Sequence, residues 1–141
     1  MGGVKQRSEA GGTERLPLLV CWLPALVTAA VIFYLSHRPD LADLPSPIPD
    51  WGLHLIEYGF FTLTLLFATT RGFDARSRSG GRASAAVVIA SLYGISDEFH
   101  QSFVGRDPTL HDWVADTAGA LLAAAVVMLL WRRMAGPAGR L

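Results

Sequence analysis

The side chains that could do chemistry fall into three short segments of an otherwise apolar chain. His54 and Glu57 form the first; Asp97, Glu98, His100 and Gln101, with Arg106 shortly after, form the second; Asp112 and Asp116 form the third. Imidazoles next to carboxylates are the usual parts of general acid–base catalysis. A guanidinium nearby would clamp an anionic group such as a lipid phosphate. The same carboxylates with a histidine could instead hold a hard or borderline cation that activates water. On this reading His54, Glu98, Asp97 and Asp112 are candidates for the chemistry. Arg106, Gln101, Tyr58, Glu57, His100, Asp116 and Asp50 are candidates for holding a substrate. His54-x-x-Glu57 is not the HExxH pattern of zinc proteases, and neither a nucleophile elbow nor a phosphate-cradling glycine loop is present. The metal content therefore stays undefined, with a divalent cation as one option.

The chain has four apolar blocks, 16–35, 51–70, 83–103 and 113–131, and the last three hold or border these residues. Each is close to the ~20 residues that a helix needs to cross ~30 Å of hydrocarbon. Ionisable groups inside such spans are costly in lipid and face a bundle interior or a watery cavity, so they read as a functional site. The expected fold is all-α: a polytopic membrane protein built as a four-transmembrane-helix bundle over 16–131. Residues 1–15 and 132–141 would be tails rich in Gly and Ala. Half of the chain is apolar (51%), 17% is charged, and the formal net charge is zero, which gives no basic field for nucleic acid. The single Cys21 excludes an intrachain disulfide and reads as a small packing residue. The basic leader before the first block resembles a signal peptide, but the apolar run continues to Leu35 with only a weak Thr28-Ala29-Ala30 match to a cleavage site. A retained helix is expected.

Arginine and lysine placement sets the orientation. Lys5, Arg7 and Arg15 precede the first block. Arg71, Arg76, Arg78 and Arg82 lie between the second and third, and Arg132, Arg133 and Arg140 follow the fourth. Only Arg38 and Arg106 lie on the other side. Both termini are thus expected in the cytoplasm, with Trp51 and Trp113 at the outer boundary and Trp131 at the inner one. The outer loop 36–50 contains Pro39, Pro45, Pro47 and Pro49, which predicts an extended strap over the outer mouth rather than a helix. His37 and Arg38 read as solvated loop residues, and His111 as a capping residue beside a helix start at Asp112.

Because the second and fourth blocks enter from outside and the third exits there, their polar segments should meet in the outer leaflet as one pocket. His54, Glu57, Tyr58 and Phe61 share a helical stripe. Tyr93, Asp97, His100 and Gln101 form a second stripe with Glu98 beside it, and Asp112 stacks on Asp116. Ala115, Gly119 and Ala123 make a small-xxx-small face suited to close helix packing. The acids Glu57, Asp97, Glu98, Asp112 and Asp116 cannot all stay ionised in a low dielectric without compensation. Arg106, His54, His100, His111, a bound cation or protonation could supply it. A plainer reading makes the same residues interhelical hydrogen-bonding groups that only hold the bundle together.

Three linked motifs then carry a resemblance: Asp50-Trp-x-x-His54-x-x-Glu-Tyr58, Tyr93-Gly-x-x-Asp97-Glu98-x-His100-Gln101-x-Phe103-x-x-Arg106, and Asp112-Trp113-x-x-Asp116-x-x-Gly119. Spanning roughly 35–119, the chain resembles the VanZ-like family of small bacterial membrane proteins, whose namesake is associated with resistance to the lipoglycopeptide teicoplanin. The resemblance singles out Asp50, His54, Tyr58, Glu98, Gln101, Arg106, Asp112 and Gly119. It implies a multi-pass protein of the bacterial cytoplasmic membrane, with membrane lipids and a lipid-linked envelope substrate or lipoglycopeptide as partners. Two departures stand out: Trp51 where the pattern has Lys, so a substrate contact by that Lys does not transfer, and Asp116 where Asn is often nearby. An outward-facing enzyme, a non-catalytic lipid or lipoglycopeptide binding module with Trp51 and Trp113 as contacts, and a small transporter all fit. A transporter would need more than four helices without a repeat, or a dimer.

Overall fold

The computed structural model describes residues 16–42 and 46–134. All regular structure among them is helical. The elements are α1 (Leu18–Ser36), α2 (Pro39–Ala42), α3 (Asp50–Thr69), α4 (Gly80–Gln101) and α5 (Leu110–Met134), with a 3₁₀ turn at Ala75–Ser77. The four long helices form a bundle. Three of them, α1, α3 and α5, are long and apolar enough to cross a membrane. The fourth, α4, has 22 residues and spans ~33 Å at 1.5 Å per residue, but Arg82 near its start and the polar run from Ser96 to Gln101 lower its hydropathy below that of the others. The expected bundle of four helices is what the structure shows, with α4 the most polar of them.

Helix α3 lies at the centre and packs on α1, α4 and α5, most extensively on α5. Glycine explains how closely α3 and α5 cross. A Cβ on Gly119 would collide with the Leu55 carbonyl oxygen, and one on Gly59 would stand 3.5 Å from the Gly119 carbonyl oxygen. The seam of α5 continues through the buried Ala115, Ala120 and Ala124. Ala123, assigned to that face from spacing, is only half-buried. The remaining core is a column of Ile32, Tyr58, Phe61, Leu65 and Leu66 closed by small alanines of α4. Most other large apolar residues of α1 and α5 are exposed on the outside of the bundle, as expected of a surface solvated by acyl chains.

Hydrogen bonds define the direction of each helix. The end of α1 meets the end of α4 through Ser36 and Asp97, and the start of α3 meets the start of α5 through His54 and Asp116. Helices α1 and α4 therefore run toward one end of the bundle, here termed the polar end, and α3 and α5 run away from it.

The loops correct several expectations. Pro39 begins one helical turn, α2, where its missing N–H costs nothing because a first-turn amide has no intrahelical partner. The loop 36–50 is thus not wholly extended, and its segment 43–45 lies outside the described residues. Arg38 forks onto Asp40 at 2.7 and 2.9 Å and touches the Tyr34 hydroxyl at 3.0 Å. That guanidinium holds the Asp40 carboxyl below its ordinary range. Helix α5 starts at Leu110, not at Asp112 or Trp113, because Thr109 caps it: the Thr109 hydroxyl accepts from the Asp112 amide at 3.0 Å. His111 is exposed and does not cap. At its far end α5 runs through Arg132 and Arg133 to Met134, residues assigned above to a tail. The predicted tails 1–15 and 135–141 otherwise lie outside the described residues. Trp131 is buried, with the Arg78 guanidinium 5.7 Å from its ring centre. Trp113 leans onto α4, donating to the Ser91 carbonyl at 3.2 Å.

Candidate functional site

The polar end is built around His54. One turn into α3, its Nδ1 lies 2.9 Å from Oδ1 of Asp116, in the second turn of α5. Asp116 is 0% exposed and His54 6%. The parallel start of the two helices brings the pair together, and the Gly119 crossing just below keeps the backbones close enough. From α4, Gly94 leaves room for the same carboxylate: a Cβ there would lie 2.8 Å from Asp116 Oδ2.

Glu98 reaches this centre from α4 and is held by the capping turn of α5. Its Oε2 accepts from the Thr109 amide at 2.7 Å, while the Thr109 hydroxyl donates to Asp112 Oδ2 at 2.7 Å. Donor atoms of His54, Glu98 and Asp116 lie within 4.8 Å of one another, and so do those of Asp50, His54 and Asp112. The site is acidic and tightly enclosed. Asp97, Glu98, Asp112 and Asp116 are all buried, and Asp97 Oδ1, Glu98 Oε1 and Asp116 Oδ2 have no hydrogen-bond partner among the described residues. Buried carboxylates in that state demand a compensating positive charge or a proton.

On one side of His54 a cavity of about 350 Å³ opens, lined by Leu35, Ser36, Asp50, Leu53, His54, Ile56, Glu57 and Arg106. Arg106 gets there because Gly105, at φ 79°, turns the chain back after α4, and the Arg106 amide bonds to the Gln101 carbonyl at 3.2 Å. Left-handed φ is readily adopted only by glycine. A smaller, mostly apolar groove of about 230 Å³ lies between α1 and α3, lined by Val27, Thr28, Val31, Ile32, Glu57 and Phe60. Glu57 belongs to both. A separate groove of about 320 Å³ lies between α4 and α5 beside Glu98 and Trp113.

The expected single pocket is therefore corrected to a buried core with flanking cavities. His54, Glu98, Asp116, Asp112 and Asp50 come together around the imidazole. Glu57, Asp50 and Arg106 share the open cavity. Asp97 turns toward α1 instead, accepting from Ser36 at 2.8 Å and from Gln101 at 3.4 Å. Tyr58 is fully buried beneath His54 and lines neither cavity. His100 also departs from the group. It stacks on Phe33 with ring centres 4.3 Å apart and lies 3.3 Å from Nδ1 of His37, which is exposed in the turn after α1, as expected, and pairs with His100 there. Sequence reasoning missed Ser36 and Thr109. Thr109 had a signal, the Thr-x-x-Asp spacing of a helix cap. Ser36, at the end of an apolar block, had none.

Fold and site together define a helical membrane protein with an ionisable core at one end of its bundle. The family described as VanZ/LLP1 matches residues 51–131, more than half of the chain. The protein belongs to the VanZ-like family. No curated protein and no solved structure matches it.

Proposed function

We propose that the protein takes an anionic, amphiphilic envelope lipid from the outer leaflet and acts on its headgroup at the polar end. The observation that carries this reading is a pair of cavities that share one wall residue. A chamber with Arg106 and Glu57 and a mostly apolar groove are both lined by Glu57, which would suit a headgroup beside its attached chain. Arg106 would hold the anionic group, since guanidinium matches phosphate and carboxylate geometry. Glu57 and His54, one turn apart on α3, would handle protons at the headgroup, with Asp116 fixing the imidazole. A carboxylate behind a histidine orients it in this way in many hydrolytic sites. The outward orientation rests on six arginine positions at the opposite end of the described residues (71, 76, 78, 82, 132 and 133) against Arg38 and Arg106 at the polar end. In a bacterial membrane the pocket would then face the cell envelope, where lipid-linked precursors and lipoglycopeptides such as teicoplanin meet the lipid.

The test compares envelope lipids and teicoplanin sensitivity between a deletion strain and strains complemented with the wild type, His54→Ala, Glu57→Gln or Arg106→Ala. A headgroup change lost in all three variants, each inserted at wild-type level, supports the reading. Equal loss of folded protein in all three, or identical lipids in deletion and complemented strains, overturns it. The apolar groove also favours a second reading, capture of the lipid without chemistry. In that case native mass spectrometry finds only unmodified co-purified lipid, and the substitutions weaken its binding by degrees.

A further inference from the structure

We infer that His54, Glu98 and Asp116 form a binding site for one borderline divalent transition-metal cation, of the zinc or manganese class, at the junction of α3, α4 and α5. This inference deepens the lipid-processing reading and places its site at the same polar end. Three observations point to it. The first is geometry: one ligand atom from each residue lies within 4.8 Å of the other two. With metal–ligand bonds of about 2.0–2.2 Å, two donors on one ion stand about 3–4.4 Å apart, so the side chains need only small rotations. The 2.9 Å between His54 Nδ1 and Asp116 Oδ1 suits two adjacent donors as well as it suits a hydrogen bond.

The second observation is unspent coordination capacity. Asp116 Oδ2 and Glu98 Oε1 are buried without partners among the described residues, and their residues are 0% and 8% exposed. A buried, unpaired carboxylate oxygen is expensive, and a dication satisfies both oxygens together. The third is charge. Asp97, Glu98, Asp112 and Asp116 are buried within one end of the bundle, and among the described residues the only basic side chain buried with them is His54.

The donor set selects the ion. One imidazole nitrogen with two carboxylates suits zinc and its first-row neighbours, whereas magnesium and calcium prefer oxygen alone. Three protein ligands leave a position open for water or substrate, as catalytic zinc sites do. The alternative group of Asp50, His54 and Asp112 is the weaker of the two, because Asp50 is exposed and Asp112 Oδ2 already accepts from Thr109. With His54 engaged on the cation, Glu57 on the cavity wall becomes the proton acceptor of the proposed reaction.

The full-length protein, purified in detergent and stripped with a chelator, is equilibrated with Zn²⁺ or Mn²⁺, desalted and measured by elemental mass spectrometry alongside its melting temperature. One equivalent per chain and a raised melting temperature are expected. The conservative Glu98→Gln should fall below a tenth of an equivalent and lose the metal-dependent melting shift. His37→Ala, which removes the exposed His37–His100 pair, should retain both. Wild-type protein that keeps no metal overturns the inference, and so does metal lost in His37→Ala but kept in Glu98→Gln. Absence of metal with lipid conversion intact removes the cation alone. Stoichiometric metal with unchanged envelope lipids removes the lipid reading alone.

Discussion

Asp116 shows how one carboxylate can depend on three helices. It sits on α5, bonds to His54 on α3, and owes its space to the missing side chain of Gly94 on α4. Gly94→Ala therefore drives a methyl group into Asp116 Oδ2. The expected result is loss of function approaching that of His54→Ala, with only a modest drop in melting temperature of the purified protein; unchanged function would show that the carboxylate has slack. Much of this group was legible from spacing alone, because His54 with Tyr58 and Asp112 with Asp116 are one turn apart and each pair shares a face. The errors were of another kind. Spacing tells which residues share a stripe but not which neighbour the stripe meets, so His100 and Asp97 were assigned to the common pocket although both turn toward α1. Tyr58 follows the right stripe, one turn too deep to reach the opening.

At the scale of elements, the contact of α3 with α5 sets the position of the site. Gly119 permits it, and any side chain there meets the Leu55 backbone, which cannot rotate away as a side chain could. Overpacking of this sort costs about 1–3 kcal/mol. Gly119→Val should therefore lower the melting temperature in detergent more than Gly94→Ala does, and it should disrupt the polar end by separating His54 from Asp116. A Gly119→Val protein as stable as the wild type would mean that the two helices are not so closely joined. The long helices were readable from their apolar blocks, since length and hydropathy need no knowledge of neighbours. The ends of the helices were not. The turn that caps α5 at Thr109 and the single turn of α2 at Pro39 depend on local hydrogen bonds and first-turn tolerance, which a count of prolines overlooks.

For the molecule as a whole, direction across the membrane decides what the polar end can meet. Cys21 is the only cysteine and is fully buried, so introduced thiols can report orientation with little background. In a Cys21→Ser chain, Ser102→Cys at the polar end should react with a membrane-impermeant maleimide added to intact cells. Ala75→Cys at the opposite end should react only after permeabilisation. The reverse pattern would turn the chamber to the cytosol and remove the envelope from its reach.

Helix α1 lies before the segment shared with the VanZ/LLP1 family, yet it supplies Ser36 and one wall of both the chamber and the groove. It is also the least embedded of the three apolar spans, 17% buried over its apolar stretch against 50% for α3, and it touches α4 over only a few residues. Swinging α1 aside therefore breaks fewer contacts than moving any of its neighbours. On the lipid reading proposed above, the α1 flank would be the side door through which a long-tailed guest slips in directly from the bilayer without ever passing through water.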